Sequence, residues 1–298
     1  MSATVALPVR NGGARLAEVL DAVRGQTVAS ELLVVDSGST DGSVAVARER
    51  GARVVEIRAS EFSHGGTRNR LMELAGGEHV AFLTQDAVPA DDRWLARLLD
   101  GFALADDVAL VCGPYLARDD ASPMVRRELR EWFAAMPAGV QRGVAHLGPA
   151  SYFSSANGAV LRAAWERVPF RPVPYAEDQR LALDMLAAGY AKAYVPEAAV
   201  IHSHDYPPLD LFRRFFDEFR ALREVYGHRE PLAPRPVAGR IRRSVAADRA
   251  CGAPVLASVG YHSLRALGAA LGTRADRLPA AVRRACSLER RSTFEPTA

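Results

Sequence analysis

The stretch Glu31–Gly42, E-L-L-V-V-D-S-G-S-T-D-G, constrains the fold more than any other part of this chain. Leu32–Val35 is an uninterrupted apolar run of strand length, the pattern of a strand covered on both faces. It ends on a carboxylate, Asp36, followed by a Ser/Gly/Thr turn and then Asp41 and Gly42 at the start of a helical pattern. A strand buried on both faces implies helices above and below a mostly parallel sheet. In such a sheet, ligands bind at the carboxyl ends of the strands. Asp36 is therefore either a site residue or the cap of its own turn, because Asp and Ser also hold turns by local hydrogen bonds.

The same strand–helix alternation runs through the first half. Thr4–Val9, Val54–Ile57, Val80–Thr84 and Ala109–Cys112 read as strands. Between them, Leu16/Val19/Leu20/Val23, Val44–Arg50, Thr67–Ala75 and Trp94/Leu95/Leu98/Leu99/Phe102 have helical spacing. Repeated βαβ units of this kind predict a Rossmann-like α/β fold. Regularity fades over 114–150, where Met124–Met136 alone has a helical pattern, and returns at Tyr152–Leu161. A helix is predicted from Glu177 to Gly189, with strands at Ala191–Val195 and Ala198–Ile201.

The tail is different. Leu211, Phe212, Phe215, Phe216, Phe219, Leu222 and Tyr226 form one apolar stripe. After a Pro-rich break at 231–236, Val255, Leu256, Val259, Leu264, Leu267 and Leu271 repeat the spacing. The organisation read from this is a catalytic α/β domain over 1–208 and a C-terminal helical extension over 209–298.

Net charge is only +3, which argues against nucleic acid as a partner. From Asp205 onward, however, 17 arginines stand against 10 acids, a net of +7. That basic tail is compatible with a solvated surface, with peripheral contact to an anionic membrane or with an acidic partner, and its apolar stripes with packing on the main sheet, membrane contact or a homodimer. The three cysteines are scattered, with no C-x-x-C, which suits a reducing compartment. The N-terminus lacks the pattern of a signal peptide and no stretch is long enough to span a bilayer, so the expected location is cytoplasmic or peripheral on the inner face of the cell membrane.

Four short motifs sit at strand ends or helix starts. They are Pro8-Val9-Arg10-Asn11, Asp36-Ser37-Gly38-Ser39, Gly66-Thr67-Arg68-Asn69 with Thr84-Gln85-Asp86, and Glu177-Asp178 with His202-Ser203-His204. Together with E-F-S-H-G-G-T-R-N at 61–69, F-L-T-Q-D-A at 82–87 and H-S-H-D-Y at 202–206, they resemble inverting family 2 glycosyltransferases with the GT-A fold. The likeness covers about residues 4–206 and is nearest to the bacterial rhamnosyltransferase-type branch.

That resemblance implies a nucleotide-sugar donor, dTDP- or UDP-linked, and a glycan or lipid-linked saccharide acceptor. Asp36 would accept the imide N–H of a uracil or thymine ring, with Pro8, Arg10, Asn11 and Ser37 beside the base. Arg68, at a helix N-terminus that already favours anions, would hold the diphosphate, with Asn69 and Gln85 nearby. Asp86 corresponds to the last acid of the family's D-x-D motif, although Thr84 stands where the first acid belongs. Asp86 and His204 are the expected ligands of Mn²⁺ or Mg²⁺. Asp178 is the implied general base, with Glu177 positioning the acceptor, and Asn157 lies near the donor sugar. Trp132 is a candidate for stacking on the acceptor, whereas Trp94 reads as core. UDP-hexose, UDP-N-acetylhexosamine and UDP-galactofuranose remain alternative donors, and an inactive binding protein on the same fold remains a distant one. A nicotinamide oxidoreductase would need G-x-G-x-x-G after the first strand, where this chain has V-R-N-G-G-A.

Overall fold

The computed structural model describes residues 2–143 and 146–289. The strands are β1 (Ala3–Val9), β2 (Glu31–Asp36), β3 (Arg53–Glu56), β4 (His79–Leu83), β5 (Val88–Pro89), β6 (Val108–Cys112), β7 (Tyr115–Leu116), β8 (Gly139–Gln141), β9 (Asn157–Leu161), β10 (Ala191–Tyr194) and β11 (Val200–Ile201). The α-helices are α1 (Gly13–Arg24), α2 (Ser43–Glu49), α3 (His64–Leu74), α4 (Trp94–Phe102), α5 (Pro123–Ala134), α6 (Arg162–Trp165), α7 (Glu177–Ala187), α8 (Pro208–Tyr226), α9 (Pro234–Ala250), α10 (Val255–Gly272) and α11 (Ala280–Cys286).

The chain divides into two compact units. The first holds Met1–Leu116, Trp132–Val173 and Glu177–His202; the second holds Ala117–Glu131, Pro174–Ala176 and Ser203–Ala298. The cut therefore falls at 202/203 rather than at 208/209, and two mid-chain segments go with the tail. The reason is a set of long-range side-chain bonds. Arg127 in α5 donates to Asp248 of α9 at 2.6 Å, and Glu128 accepts from Tyr261 of α10 at 3.0 Å.

The first unit is built on an eight-stranded sheet of order β3-β2-β1-β4-β9-β6-β10-β8. Strands β3, β2, β1, β4, β6 and β10 run one way, whereas β9 and β8 run antiparallel to their neighbours. A small sheet, β5-β11-β7, stands apart from it. Leu32–Val35, Val80–Leu83 and Val108–Cys112 are buried throughout, as continuous apolar runs require when helices cover both faces. Register then aligns the strand ends. Val9 pairs with Asp36 and Leu83 with Asn157, so the loops after β1, β2 and β4 open at one edge. In the stretch Tyr152–Leu161, where regularity returns in the sequence, 152–154 is irregular, 155–156 is a turn and β9 begins at Asn157.

The second unit is helical. Its core is α8 against α10, where glycines let the two backbones meet. A Cβ on Gly268 would lie 2.5 Å from the Phe212 carbonyl oxygen, and one on Gly272 would lie 2.4 Å from that of Phe216. Helix α9 starts inside the Pro-rich break, with Pro234 and Pro236 in its first turn, where a missing N–H costs nothing. No helix among the described residues is long and apolar enough to cross a membrane.

Candidate active site

The loops after β1, β2 and β4 are tied together before any ligand is considered. Gln85 brackets the backbone of Arg10: its Oε1 accepts from Arg10 N at 2.8 Å and its Nε2 donates to Arg10 O at 3.1 Å. Asn11, at φ +51°, donates its N–H to Ser39 Oγ and accepts from Thr40 N, both at 2.8 Å. Ser37 returns its N–H to Val9 O at 2.9 Å. Pro8 is half-buried at the end of β1 and fixes its own φ.

Asp36 is 1% exposed and holds its own turn. Its Oδ1 accepts from Gly38 N at 3.0 Å and Ser39 N at 2.9 Å, and its Oδ2 accepts from Ser39 Oγ. The local-cap role, one of the two open to it, is thus filled. One lone pair on Oδ2 is left for an outside donor.

Ser63 caps α3 by accepting from Gly66 N at 3.2 Å. Gly65 is required for a close approach: a Cβ there would lie 2.4 Å from the Arg171 carbonyl oxygen. The glycine thus serves packing within the protein. Arg68 is buried and makes an ion pair with Glu177 Oε1 at 2.8 Å, both side chains being under 8% exposed. Its Nη1 also reaches His64 O, while its Nε and Thr67 Oγ1 are buried without a hydrogen-bond partner. The sequence did not disclose that the expected diphosphate arginine and the expected acceptor-positioning acid are partners.

Asp178, next to Glu177 at the start of α7, is half-buried. Its Oδ2 accepts from Ser155 N at 3.1 Å and Ser155 Oγ at 3.4 Å, and its Oδ1 accepts from Gln179 N at 2.8 Å. Burial, reinforced by the Glu177 charge, holds this carboxyl well above the usual carboxylate range, even though Arg68 and the Ser155 N–H pull the other way. The preceding residue, Ala176, sits at φ +59°, a conformation a methyl-bearing residue adopts only at a cost of about 1–3 kcal/mol. Strain of this size collects where a precise chain direction is enforced.

A continuous line of contacts leads from Asp178 to the end of β4. Ser154 accepts from Tyr115 OH, and the Tyr115 ring stands edge-on to His202 at 5.0 Å. His202 Nε2 lies 3.4 Å from Asp86 Oδ1. Burial raises the phenols of Tyr115 and Tyr152, so both stay protonated beside the acid. Asp86 and His202 form an Asp/His pair that suits a metal. Its mixed oxygen and nitrogen donors fit Mn²⁺ better than Mg²⁺. His202 was singled out by sequence without being chosen as a ligand. The signal was its place after a strand end. His204 is exposed, stacks on Tyr206 at 5.4 Å and follows His202 by two residues. Thr84 Oγ1, at the position of the absent first acid, is buried without a partner.

Two expected donor contacts have other duties. Asn157 is 1% exposed and both its amide hydrogens are used: Oδ1 accepts from Trp94 Nε1 at 2.8 Å, and Nδ2 donates to Pro114 O at 3.0 Å and Ala198 O at 2.8 Å. These three bonds make Asn157 a bracket between β9, α4 and the loops at Pro114 and Ala198. Asn69 Oδ1 accepts from Trp165 Nε1 and Phe170 N, and its Nδ2 donates to Phe170 O at 2.9 Å, leaving one N–H. Trp94 is fully buried, and Trp132 stays exposed against Tyr152.

Comparison with known proteins gives this geometry a family. A model of "Glycosyl transferase family 2" matches residues 4–167. The chain belongs to that family. The O-antigen chain rhamnosyltransferase RfbN of Salmonella typhimurium is 34% identical over 225 residues, spanning 73% of this chain and 71% of that protein. WbaN of Salmonella anatum, also an O-antigen chain rhamnosyltransferase, is 35% identical over 72% of this chain and 70% of its own. The fold matches a mannosyltransferase from Pyrobaculum calidifontis, solved with GDP-Man and Mn²⁺, at a TM-score of 0.62 and 19% identity over 93% of this chain and 88% of that one. It also matches glucosyl-3-phosphoglycerate synthase from Mycobacterium tuberculosis, solved with UDP, at 0.54 and 23% identity over 77% and 81%. The first unit is thus a GT-A fold, and this family 2 member is a glycosyltransferase of the hexosyltransferase class.

Proposed function

We propose that this glycosyltransferase moves rhamnose, with inversion, from a dTDP- or UDP-linked donor to a glycan or lipid-linked saccharide, with Asp178 as the general base. The observation that carries the reading is the state of Asp178. Its carboxyl is desolvated, shares its surroundings with Glu177, and is aimed by the Ser155 N–H. A carboxylate made more basic in this way takes a proton from a sugar hydroxyl more readily. The choice of rhamnose rests on the names of the two Salmonella relatives.

In the reaction, the acceptor hydroxyl forms a bond to the anomeric carbon while the bond from that carbon to the donor's phosphate oxygen breaks. The hydroxyl proton passes to Asp178, and the nucleoside diphosphate leaves with the bonding pair. Glu177 holds Arg68, and the orphaned Arg68 Nε and Thr67 Oγ1 are donors that a diphosphate oxygen would satisfy. Asp86 and His202 would hold a divalent cation, which would supply positive charge against the leaving diphosphate. Asp36 Oδ2 offers its remaining lone pair to the base imide, in a wall made with Pro8, Arg10, Asn11 and Ser37. Gln85 keeps that wall in shape through the Arg10 backbone, and Asn69 ties α3 to the Trp165–Phe170 segment.

The test is Asp178→Asn, assayed with dTDP-rhamnose and, separately, for dTDP binding by calorimetry. Turnover is expected to fall by about 10²–10⁴-fold with dTDP affinity unchanged. Turnover within a few-fold of the parent enzyme would remove Asp178 from the chemistry.

A further inference from the structure

Helix α10 carries an exposed face of a kind that a solvated helix rarely shows. Its sequence, VLASVGYHSLRALGAALG, has only His262 and Arg265 as charged-type residues, and both turn inward. His262 Nε2 lies 2.7 Å from Asp248 Oδ2, and Arg265 pairs with Glu128. The opposite face holds Val255, Leu256, Val259, Gly260, Ser263 and Leu267. Leu256 is 87% exposed, Leu267 51%, Val255 45% and Val259 41%. Across the length of this helix no charge interrupts that face. Isolated exposed apolar residues need no explanation, whereas an uninterrupted stripe of them on one helix marks an interaction surface.

The charge of the neighbouring helices identifies the partner. Helix α9 packs on α10 through Asp248, which accepts from Ser258 and His262. On α9, Arg235, Arg242 and Arg249 recur every seven residues and so share one helical face, all exposed and with no ion pair among the described residues. The only acid of α9, Asp248, faces inward and is fully buried. Arg283 and Arg284 add further positive charge on α11. A second copy of the chain would bring the same arginines against these, which is unfavourable. An anionic lipid surface satisfies both features at once: headgroup phosphates for the arginines and an acyl boundary for the leucines.

We infer that the outer face of α10, with the Arg235/Arg242/Arg249 stripe of α9, docks the protein onto an anionic membrane surface. The inference rests on no part of the catalytic reading. The helices lie in the interface plane of the lipid surface without spanning it.

The test is flotation of the full chain with vesicles of phosphatidylcholine alone and with phosphatidylglycerol added, without nucleotide sugar. Binding to the anionic vesicles only, weakened by salt, is expected. Arg235→Gln/Arg242→Gln/Arg249→Gln should lower partitioning by about a hundredfold, since each arginine near an anionic leaflet gives about a fivefold gain. Leu256→Ser/Leu267→Ser should lower it by about tenfold or more. All five positions are exposed, so both variants should keep the parent melting temperature and dTDP affinity. No binding to anionic vesicles, equal binding to neutral ones, or variants that float like the parent would overturn the inference. So would a dimer in sedimentation velocity that dissociates in the leucine variant, because the face would then be covered by a second copy.

Discussion

Asp178 lends itself to a thermodynamic test that needs no substrate. In the folded protein, burial and the adjacent Glu177 charge push its carboxyl up to about 6. In the unfolded chain the same group titrates near 3.9, as any aspartate does. Between these values the folded state holds the proton more tightly. Folding stability contributed by this group is therefore present at low pH and lost as pH rises from about 4 through about 6. Two units of difference correspond to about 3 kcal/mol, so the ionised carboxylate burdens the fold at neutral pH by about 2–3 kcal/mol. Asp178→Asn removes the charge and keeps an oxygen to accept from Ser155 N. Urea unfolding of parent and variant should coincide near pH 4. By pH 8, the variant should be more stable by about 2–3 kcal/mol, or about 5 °C in melting temperature. With Asp178 as the base, the same substitution should lower turnover by about 10²–10⁴-fold, so activity and stability are expected to move in opposite directions. A variant with the parent's stability at both pH values, or less stable at pH 8, would show that the carboxyl is not held out of its usual range, and the case for it as a tuned base would fail.

Glu177→Gln should destabilise the protein by about 3 kcal/mol by leaving Arg68 buried against a neutral partner. It should also move the acid limb of the kcat/KM profile to lower pH, because the like charge beside Asp178 is gone while Arg68 remains; an unmoved limb would separate Glu177 from the base. His202→Ala should weaken Mn²⁺-dependent dTDP binding as much as Asp86→Ala does, measured by calorimetry with and without the ion; an intact Mn²⁺ response in both would remove this pair from the metal site. Asn157→Ala should lower stability by about 4 kcal/mol, because Trp94 Nε1 and the carbonyls of Pro114 and Ala198 lose their partner. If instead it raised KM for the donor at unchanged stability, Asn157 would be a sugar contact after all.

Much of the first unit was legible before folding. Leu32–Val35 and Val80–Leu83 are apolar without alternation, and that pattern is compatible only with burial on both faces. The end of β2 at Asp36 and the start of α7 at Glu177 followed from the same reasoning. Side-chain partnerships were not legible. Arg68 and Glu177 lie 109 positions apart and meet as a buried pair; Asn157 satisfies Trp94 across 63 positions. Nothing in local spacing separates an asparagine that binds a ligand from one that brackets three loops, because both need the same amide. His202 and His204 differ in the same way: sequence offers both imidazoles, and only the path of the chain after β11 brings His202 to Asp86. Nor did spacing disclose that α5 gives Arg127 and Glu128 to α9 and α10, more than a hundred positions away.

Local patterning, a property of consecutive residues, was enough to predict a mostly parallel α/β sheet and the acids held at strand and helix ends, and its short motifs carried the resemblance to the family. Which of those acids is desolvated, which arginine neutralises which carboxylate and which amides are engaged within the protein were decided by tertiary structure. Desolvation and ion pairing depend on what surrounds a group in space, and those neighbours are contributed by segments as much as 137 positions distant, as between Glu128 and Arg265.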